Sequence, residues 1–252
     1  MTFIRDTWTI FVRAMGLSLR QPLWVLIGLM QPILYLTLFG PLLQTVAANA
    51  GFEGDAWQVF VPGLLVQLGI FGGLFVGFGI IAEWRSGVLD RQLVSPASRA
   101  AIITGRTLRD VVVIVVQGSV LVVAAYFMGL RVPPGALLIG LVLVGLLGAA
   151  FSFISNAIGI ATKSEDALAP LVNTLALPIL LLSGILLPMT LAPAWLQVVA
   201  NFNPFKHIVE ALRAVFRGDF FDPVVGVGVA LAVTLVVAGA WAGGRVLAAQ
   251  TK

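Results

Sequence analysis

The sequence predicts an all-α integral membrane protein with six transmembrane helices, and two observations support this prediction. Of the 252 residues, 60% are hydrophobic and only 10% are charged, whereas soluble proteins carry about 25% charged residues. Six apolar blocks have the ~20 residues that a spanning helix needs, and all six lack charged residues. We therefore expect a single transmembrane domain over residues 1–252.

Residues 1–22 precede the first apolar block and predict an amphipathic helix. Six apolar residues share an arc of about 100° on a helical projection, namely Ile4, Trp8, Phe11, Val12, Met15 and Leu19. Arg5, Arg13 and Arg20 lie on the other side. This pattern is typical of an interfacial helix lying on anionic lipid. The alternative is an ordinary helix packed against protein.

The six predicted spans fix the topology through the charges between them. They cover residues 24–45, 59–82, 111–129, 136–161, 168–187 and 224–243. With a cytoplasmic N-terminus, eleven Lys and Arg residues lie on the cytoplasmic side and four on the other. Positive charge accumulates in cytoplasmic segments. We therefore expect both termini in the cytoplasm.

The second predicted span carries Gly69, Gly73 and Gly77 at four-residue spacing. Small residues at this spacing allow two helices to approach closely, so the three glycines predict a helix interface. That interface is either ordinary packing inside one bundle or a contact that opens during a transport cycle.

Uncharged polar side chains recur within the predicted spans. They include Gln31, Gln67, Gln117, Ser152, Ser155, Asn156, Asn173 and Ser183. An unpaired amide in hydrocarbon costs several kcal/mol, so these groups are expected to face other helices or a cavity. A cavity that combines amides with aromatic rings suits an amphiphilic, largely apolar substrate.

The segment from Glu83 to Asp110, between the second and third predicted spans, holds 8 of the 26 charged residues of the chain. Asp90 and Arg91 lie within a short predicted helix. Its apolar patch consists of Val88, Leu89 and Leu93. Such a helix suits docking to a soluble protein. The alternative is a solvated loop that only orients the chain in the membrane.

Residues 188–222 are too many for a simple turn. Asn203 and Pro204 predict the start of an amphipathic helix, and Gly218 predicts its end. Its apolar residues share an arc of about 120°, while Arg213 lies outside that arc. A shorter helix precedes it. We expect both helices to lie on the outer leaflet or dip into it as a partial lid.

Several kinds of chemistry have no sequence signature. The chain lacks the G-x-x-x-x-G-K-[ST] pattern of a P-loop, and its single histidine, His207, is expected to be a solvated surface residue. Clusters with metal-ligand spacing are missing, and charged residues that relay protons are missing from the predicted spans. We therefore expect no catalytic residue, no metal and no ATP site in this chain.

Three motifs in order resemble those of the ABC-2 type permeases. They are EWRSGVLDRQLVSP with the following Gly105-Arg106, KSEDALAPLVNTLALPILLLSGILLPM, and NPFKHIVEALR. The closest likeness is to the daunorubicin-resistance-type membrane subunits of bacterial ABC drug exporters, over nearly the whole chain. Val88 stands where that family often has Thr.

The resemblance implies an N-terminal interfacial helix, a coupling helix between spans two and three, and short re-entrant helices after span five. It implies two copies of a separate ABC ATPase subunit that binds ATP and Mg, and a second permease copy or paralogue. Membrane lipid and a hydrophobic substrate are the other expected partners, and nucleic acid is not expected. The residues implied in coupling to the ATPase are Glu83, Arg85, Gly87, Val88, Leu89, Asp90, Arg91 and Leu93.

The resemblance also places a substrate path between two permeases, near spans one, two and five. The candidate residues are Gln31, Tyr35, Gln67, Phe71, Phe75 and Asn173. The implied function is export of a drug or lipid across the bacterial inner membrane. Alternatives are export of a glycolipid or polysaccharide, a stand-alone secondary transporter or channel, and a membrane scaffold without transport.

Overall fold

The computed structural model describes residues 3–20, 22–50, 55–94, 97–186 and 188–249. A 3-10 helix lies between α8 and α9 at Met189–Leu191. The α-helices are α1 Phe3–Arg20, α2 Pro22–Ala50, α3 Ala56–Leu74, α4 Val76–Arg85, α5 Val88–Leu93, α6 Arg99–Phe127, α7 Pro134–Thr162, α8 Glu165–Leu182, α9 Ala194–Asn201, α10 Pro204–Arg217 and α11 Pro223–Ala249.

Six helical segments in the described residues are long and apolar enough to cross a membrane. They are Val25–Gln44, Ala56–Arg85, Arg99–Phe127, Pro134–Thr162, Glu165–Leu182 and Pro223–Val246. Each corresponds to one of the six predicted spans, in the same order. The prediction of an all-α integral membrane protein is therefore confirmed.

The centre of the bundle is the contact between α3 and α7. Almost all of α3 is buried, and a Cβ atom added at Gly73 would lie 2.6 Å from Cβ of Phe151 on α7. Gly69 and Gly77 approach α7 in the same way, at Val144 and Ser155. The glycine face of the second span therefore packs against the chain's own fourth span.

The N-terminal helix α1 packs against α6 with a face other than its apolar one. A Cβ atom at Gly105 would lie 2.7 Å from the carbonyl oxygen of Thr7. The predicted apolar arc is largely exposed, with Ile4, Trp8, Val12 and Leu19 all reaching the surface. Protein and membrane can thus contact opposite sides of α1, so the two alternatives of the sequence analysis are compatible.

Helix α10 begins and ends where the sequence predicts. The Asn203 side chain accepts a hydrogen bond from the backbone N–H of Phe205 at 3.0 Å, and Gly218 adopts a φ of +97°. Its apolar face, however, is buried in the bundle core with α3 and α11. The expectation that α10 lies on lipid as a lid is wrong for this face, because protein covers it. In helix α9, by contrast, protein does not cover the apolar Trp195, which is exposed.

Three span boundaries differ from the predicted ones. Span two is two helices that meet at Phe75. Span three begins at Arg99, since Ser98 caps α6, so the charged stretch up to Asp110 is helical. Span five ends at Leu182, before Gly184 with its φ of +71°. The predicted end of that span, Leu187, lies outside the described residues.

Candidate coupling site

The candidate coupling site comprises the last turn of α4, helix α5 and the first three turns of α6. Gly87 joins α4 to α5 with a φ of +68°, a conformation that glycine adopts without the steric penalty of a side chain. The turn between the helices is Ser86 and Gly87 alone. A force applied to α5 therefore reaches α4 through a very short connection.

Two ion pairs connect α4 to neighbouring spans. Arg106 of α6 donates to the carboxylate of Glu83 at 2.5 Å. Arg85 donates to Glu165, the first residue of α8, at 2.9 Å. Both predicted coupling residues, Glu83 and Arg85, thus have their charges met by other helices of the same chain.

Helix α5 presents its charges outward and its apolar side inward. Asp90 and Arg91 are exposed, whereas Leu89 is 2% exposed and packs in a cluster with Ile80 and Ile103. The expectation that the apolar patch of this helix docks to a soluble protein is therefore wrong for Leu89, because its own bundle already buries it. Val88 is half-buried.

Three residues of the predicted coupling motif remain without a structural account. Leu93 ends α5, but its side chain lies outside the described part of the structure, as do Ser95 and Pro96. The expected contact of Leu93 with an ATPase subunit stays a prediction.

The first turns of α6 hold buried charge just before the predicted third span. Asp110 accepts a hydrogen bond from Ser152 of α7 at 2.5 Å, and its other oxygen lies 2.9 Å from Nε of Arg109. Asn156 donates to Ser152 at 3.2 Å. The predicted span over residues 111–129 itself carries no charge, but its helix begins earlier, at Arg99, and neighbouring side chains compensate the buried charges that precede the span.

Arg109 extends this network to the N-terminal helix by donating to Ser18 of α1 at 3.0 Å. The network therefore joins α1, α6 and α7, and the Glu83 pair adds α4. The spacing of Ser152 and Asn156, four residues apart on one helix face, was the sequence signal for a polar partner on α7.

The candidate substrate-path residues fall into two groups. Gln31 donates to the hydroxyl of Tyr35 at 3.4 Å on α2, and Asn173 is exposed on α8. Phe71 and Phe75 stack with ring centroids 6.2 Å apart, and Phe75 is half exposed. These five lie at or near the surface of the single chain.

Gln67 does not belong with the other five candidates. It is buried inside the bundle, and neither polar atom of its side chain has a hydrogen-bond partner among the described residues. As placed in this structure, it lines no exposed path.

Arg213 is a buried residue that the sequence analysis placed on the polar face of α10. It donates to the carbonyl oxygen of Val59 at 2.9 Å and to that of Gly184 at 2.7 Å. Burial lowers the pKa of Arg213 to about 10, so the side chain remains charged at neutral pH. Arg213 therefore ties α10 to the N-terminal part of α3 and to the segment that follows α8.

No three His, Asp or Glu side chains in the described ranges lie close enough together to hold a metal ion. The buried charges of this site consequently have protein partners to explain them. The arrangement joins α4, α6, α7 and α1 through side-chain contacts.

The chain is similar to known transport proteins over most of its length. The ABC-2 type transporter family matches residues 5–216. The "Putative transport permease ycf38" of Cyanophora paradoxa is 28% identical over 85% of this chain and 75% of its own length. The "Daunorubicin resistance ABC transporter permease protein DrrB1" of Streptomyces coeruleorubidus is 26% identical over 88% and 79%. This chain therefore belongs to the ABC-2 type transporter family.

Proposed function

We propose that this chain is the permease subunit of an ATP-driven exporter that moves a hydrophobic or amphiphilic compound, a drug or a lipid, out of the cytoplasm. The main observation in support is the short helix α5, which exposes Asp90 and Arg91 while its buried Leu89 and the Glu83–Arg106 pair fasten it to the spans. A surface element with this attachment suits the reception of force from a soluble partner.

The proposed partner is a separate ABC ATPase subunit in two copies, which binds ATP and Mg. ABC-2 permeases generally work with such subunits. This chain has no P-loop of its own, so ATP-driven transport requires an ATP site on another chain. A second permease, either a copy or a paralogue, would complete the membrane part.

The proposed topology places both termini in the cytoplasm of a cell whose inner membrane the chain spans. The uneven distribution of Lys and Arg, eleven to four, supports it. With this orientation α5 is cytoplasmic, and α9 and α10 lie at the outer side. Reporter fusions after Leu191 and after Lys252 are expected to report opposite sides.

The substrate class is proposed from the surface of spans one and two. The stacked rings of Phe71 and Phe75, with Gln31 and Tyr35 on α2, combine aromatic area with few hydrogen-bonding groups. Such a lining favours an apolar molecule over a highly hydroxylated one. A relative named for daunorubicin resistance is in keeping with this chemistry.

The test is co-expression with an ABC ATPase subunit from the same genome, followed by reconstitution of the purified complex in lipid vesicles. We expect ATP hydrolysis to rise when a hydrophobic drug or a lipid is added. Stimulation by a glycolipid or a polysaccharide alone would favour the other exporter class. Transport by the permease alone, without an ATPase, would contradict the proposal and favour a secondary transporter.

A further inference from the structure

Span two is broken at Phe75, and a side chain from span four fills the break. Helix α3 ends at Leu74 and helix α4 begins at Val76. At the joint, Phe78 donates its backbone N–H to the carbonyl of Phe75 at 3.3 Å, a three-residue spacing. The regular four-residue ladder of an α-helix is therefore interrupted at this level.

Ser155 of α7 satisfies the backbone groups that the break releases. Its hydroxyl donates to the carbonyl oxygen of Leu74 and accepts a hydrogen bond from the N–H of Gly77 at 2.9 Å. Insertion of a side chain into the hydrogen-bond ladder is a recognised cause of helix kinks. Ser155 is buried, so water is not an alternative partner for either group.

Glycine makes this insertion sterically feasible. A Cβ atom at Gly77 would lie 2.6 Å from the Ser155 hydroxyl oxygen, and one at Gly159 would lie 2.8 Å from the Gly77 carbonyl. Because Gly77 and Gly159 lack side chains, the backbones of α4 and α7 can approach closely at the joint.

Both backbone groups have a second set of partners available. In a continuous helix the Leu74 carbonyl accepts from Phe78 and the Gly77 N–H donates to Gly73. The same groups are thus satisfied either by Ser155, with the ladder of span two interrupted (the bent form), or within span two, with the ladder continuous (the straight form). Two discrete arrangements with equally satisfied backbones make a bistable element.

We propose that Ser155 is a latch that holds span two in its bent form, and that force on α5 switches span two between the bent and straight forms. Helix α4 links the latch to the coupling site, because it runs from Val76 beside the joint to Arg85 beside α5. The ion pair of Glu83 with Arg106 makes the lower end of α4 move with α6. The nucleotide-dependent part of this inference rests on the proposed function.

The experiment uses spin labels, because the chain has no cysteine of its own. Cysteines replace Ala82 on α4 and Val142 on α7, both exposed, and the label distance is measured in complexes with one labelled copy. Trapped nucleotide is expected to shift this distance in the wild type. In nucleotide-free Ser155→Ala, the distribution of label distances is expected to match that of the wild type with trapped nucleotide. The population of the bent form is expected to fall about tenfold, because the hydrogen bonds of Ser155 are lost.

The matched control is Ser119→Ala, which removes a hydroxyl whose hydrogen bond among the described residues lies within α6, to Val115 at 2.8 Å. It is expected to keep the wild-type distances in both states. An unchanged distribution in Ser155→Ala would overturn the latch.

If Ser155→Ala fails to fold, the label distance in the wild-type complex still tests the latch. If the complex hydrolyses ATP while the label distance stays constant, the latch is wrong and the proposed function stands. If no ATPase co-purifies, the proposed function fails, and the nucleotide-free comparison of Ser155→Ala with wild type still decides the latch.

Discussion

Arg106 is 3% exposed at its side chain, while the Glu83 side chain that neutralises it is 28% exposed. The pair thus joins a cation inside the bundle to an anion that the surrounding medium reaches. A buried cation that loses its anion is strongly unfavourable. A partner that contacts Glu83 would therefore change the electrostatic stabilisation of Arg106, which lies inside the bundle.

The first prediction concerns this pair. Glu83→Lys places a second cation beside Arg106 and is expected to destabilise the isolated permease by ~3–5 kcal/mol, the cost of breaking a buried ion pair. Glu83→Gln is expected to cost less, since the amide still accepts a hydrogen bond. The measurement is thermal unfolding in detergent.

The control for the first prediction is the exposed pair of Arg85 with Glu165. Glu165→Gln removes one charge of a surface ion pair, for which ~0–1 kcal/mol is expected. Equal stability of Glu83→Lys and Glu165→Gln would show that Arg106 has another source of compensation.

The second prediction concerns Arg213. Arg213→Met leaves the carbonyl groups of Val59 and Gly184 without their donor, and hydrogen bonds to charged groups contribute about 1.5–3 kcal/mol each. A loss of ~3 kcal/mol or more is expected in unfolding of the purified permease. Arg217→Met is the matched control, because Arg217 makes only a surface pair with Asp219 at 3.5 Å. Similar losses in both variants would contradict the assigned role of Arg213.

Local signals made some features predictable from sequence. The bounds of α10 follow from Asn203 and Gly218, because capping depends on residues adjacent in the chain. The close approach at Gly73 follows from a spacing that places small residues on one helix face. The helix that packs against this face could not be predicted, because the spacing of the glycines does not distinguish α7 of the same chain from a helix of another chain.

Features that depend on distant residues were not predictable. Arg213 lies only about 40° beyond the apolar arc of α10, on the basis of 100° per residue, and it is buried because two carbonyl groups from other segments receive it. Leu89 is buried because Ile80 of α4 and Ile103 of α6 pack against it. The charges of α6 enter the bundle because Glu83 and Ser152, far apart in sequence, both compensate them.

The third prediction tests the glycine face of α3. Gly73→Ala brings a Cβ atom to 2.6 Å from Cβ of Phe151 and 2.8 Å from the backbone oxygen of Gly148, so a loss of ~1–3 kcal/mol from overpacking is expected. Gly79→Ala is the control, since a Cβ atom there meets nothing within 4 Å. Because the contact lies within one chain, the loss is expected in unfolding of the permease itself, in dilute detergent as well as in a complex. A defect confined to assembly would contradict this.

The fourth prediction separates the two sides of α5. Leu89→Ala removes a buried side chain and is expected to destabilise the isolated permease by ~2–5 kcal/mol. The double reversal Asp90→Arg with Arg91→Glu changes only exposed groups of α5, so its unfolding is expected to stay within about 0.5 kcal/mol of wild type. The first measurement is therefore unfolding of the permease without any partner.

The second measurement is co-purification of the ATPase subunit at two salt concentrations. Rim charges mainly govern association rate and salt dependence, so the double reversal is expected to weaken co-purification, and more so at low salt, where charges are less screened. Leu89→Ala that is folded is expected to bind the ATPase as the wild type does, because the Leu89 side chain does not reach the partner. If the reversal binds as the wild type does while folded Leu89→Ala fails to bind, the outward face of α5 is not the docking surface. If both folded variants bind as the wild type does, the segment from Glu83 to Asp110 serves only to orient the chain in the membrane.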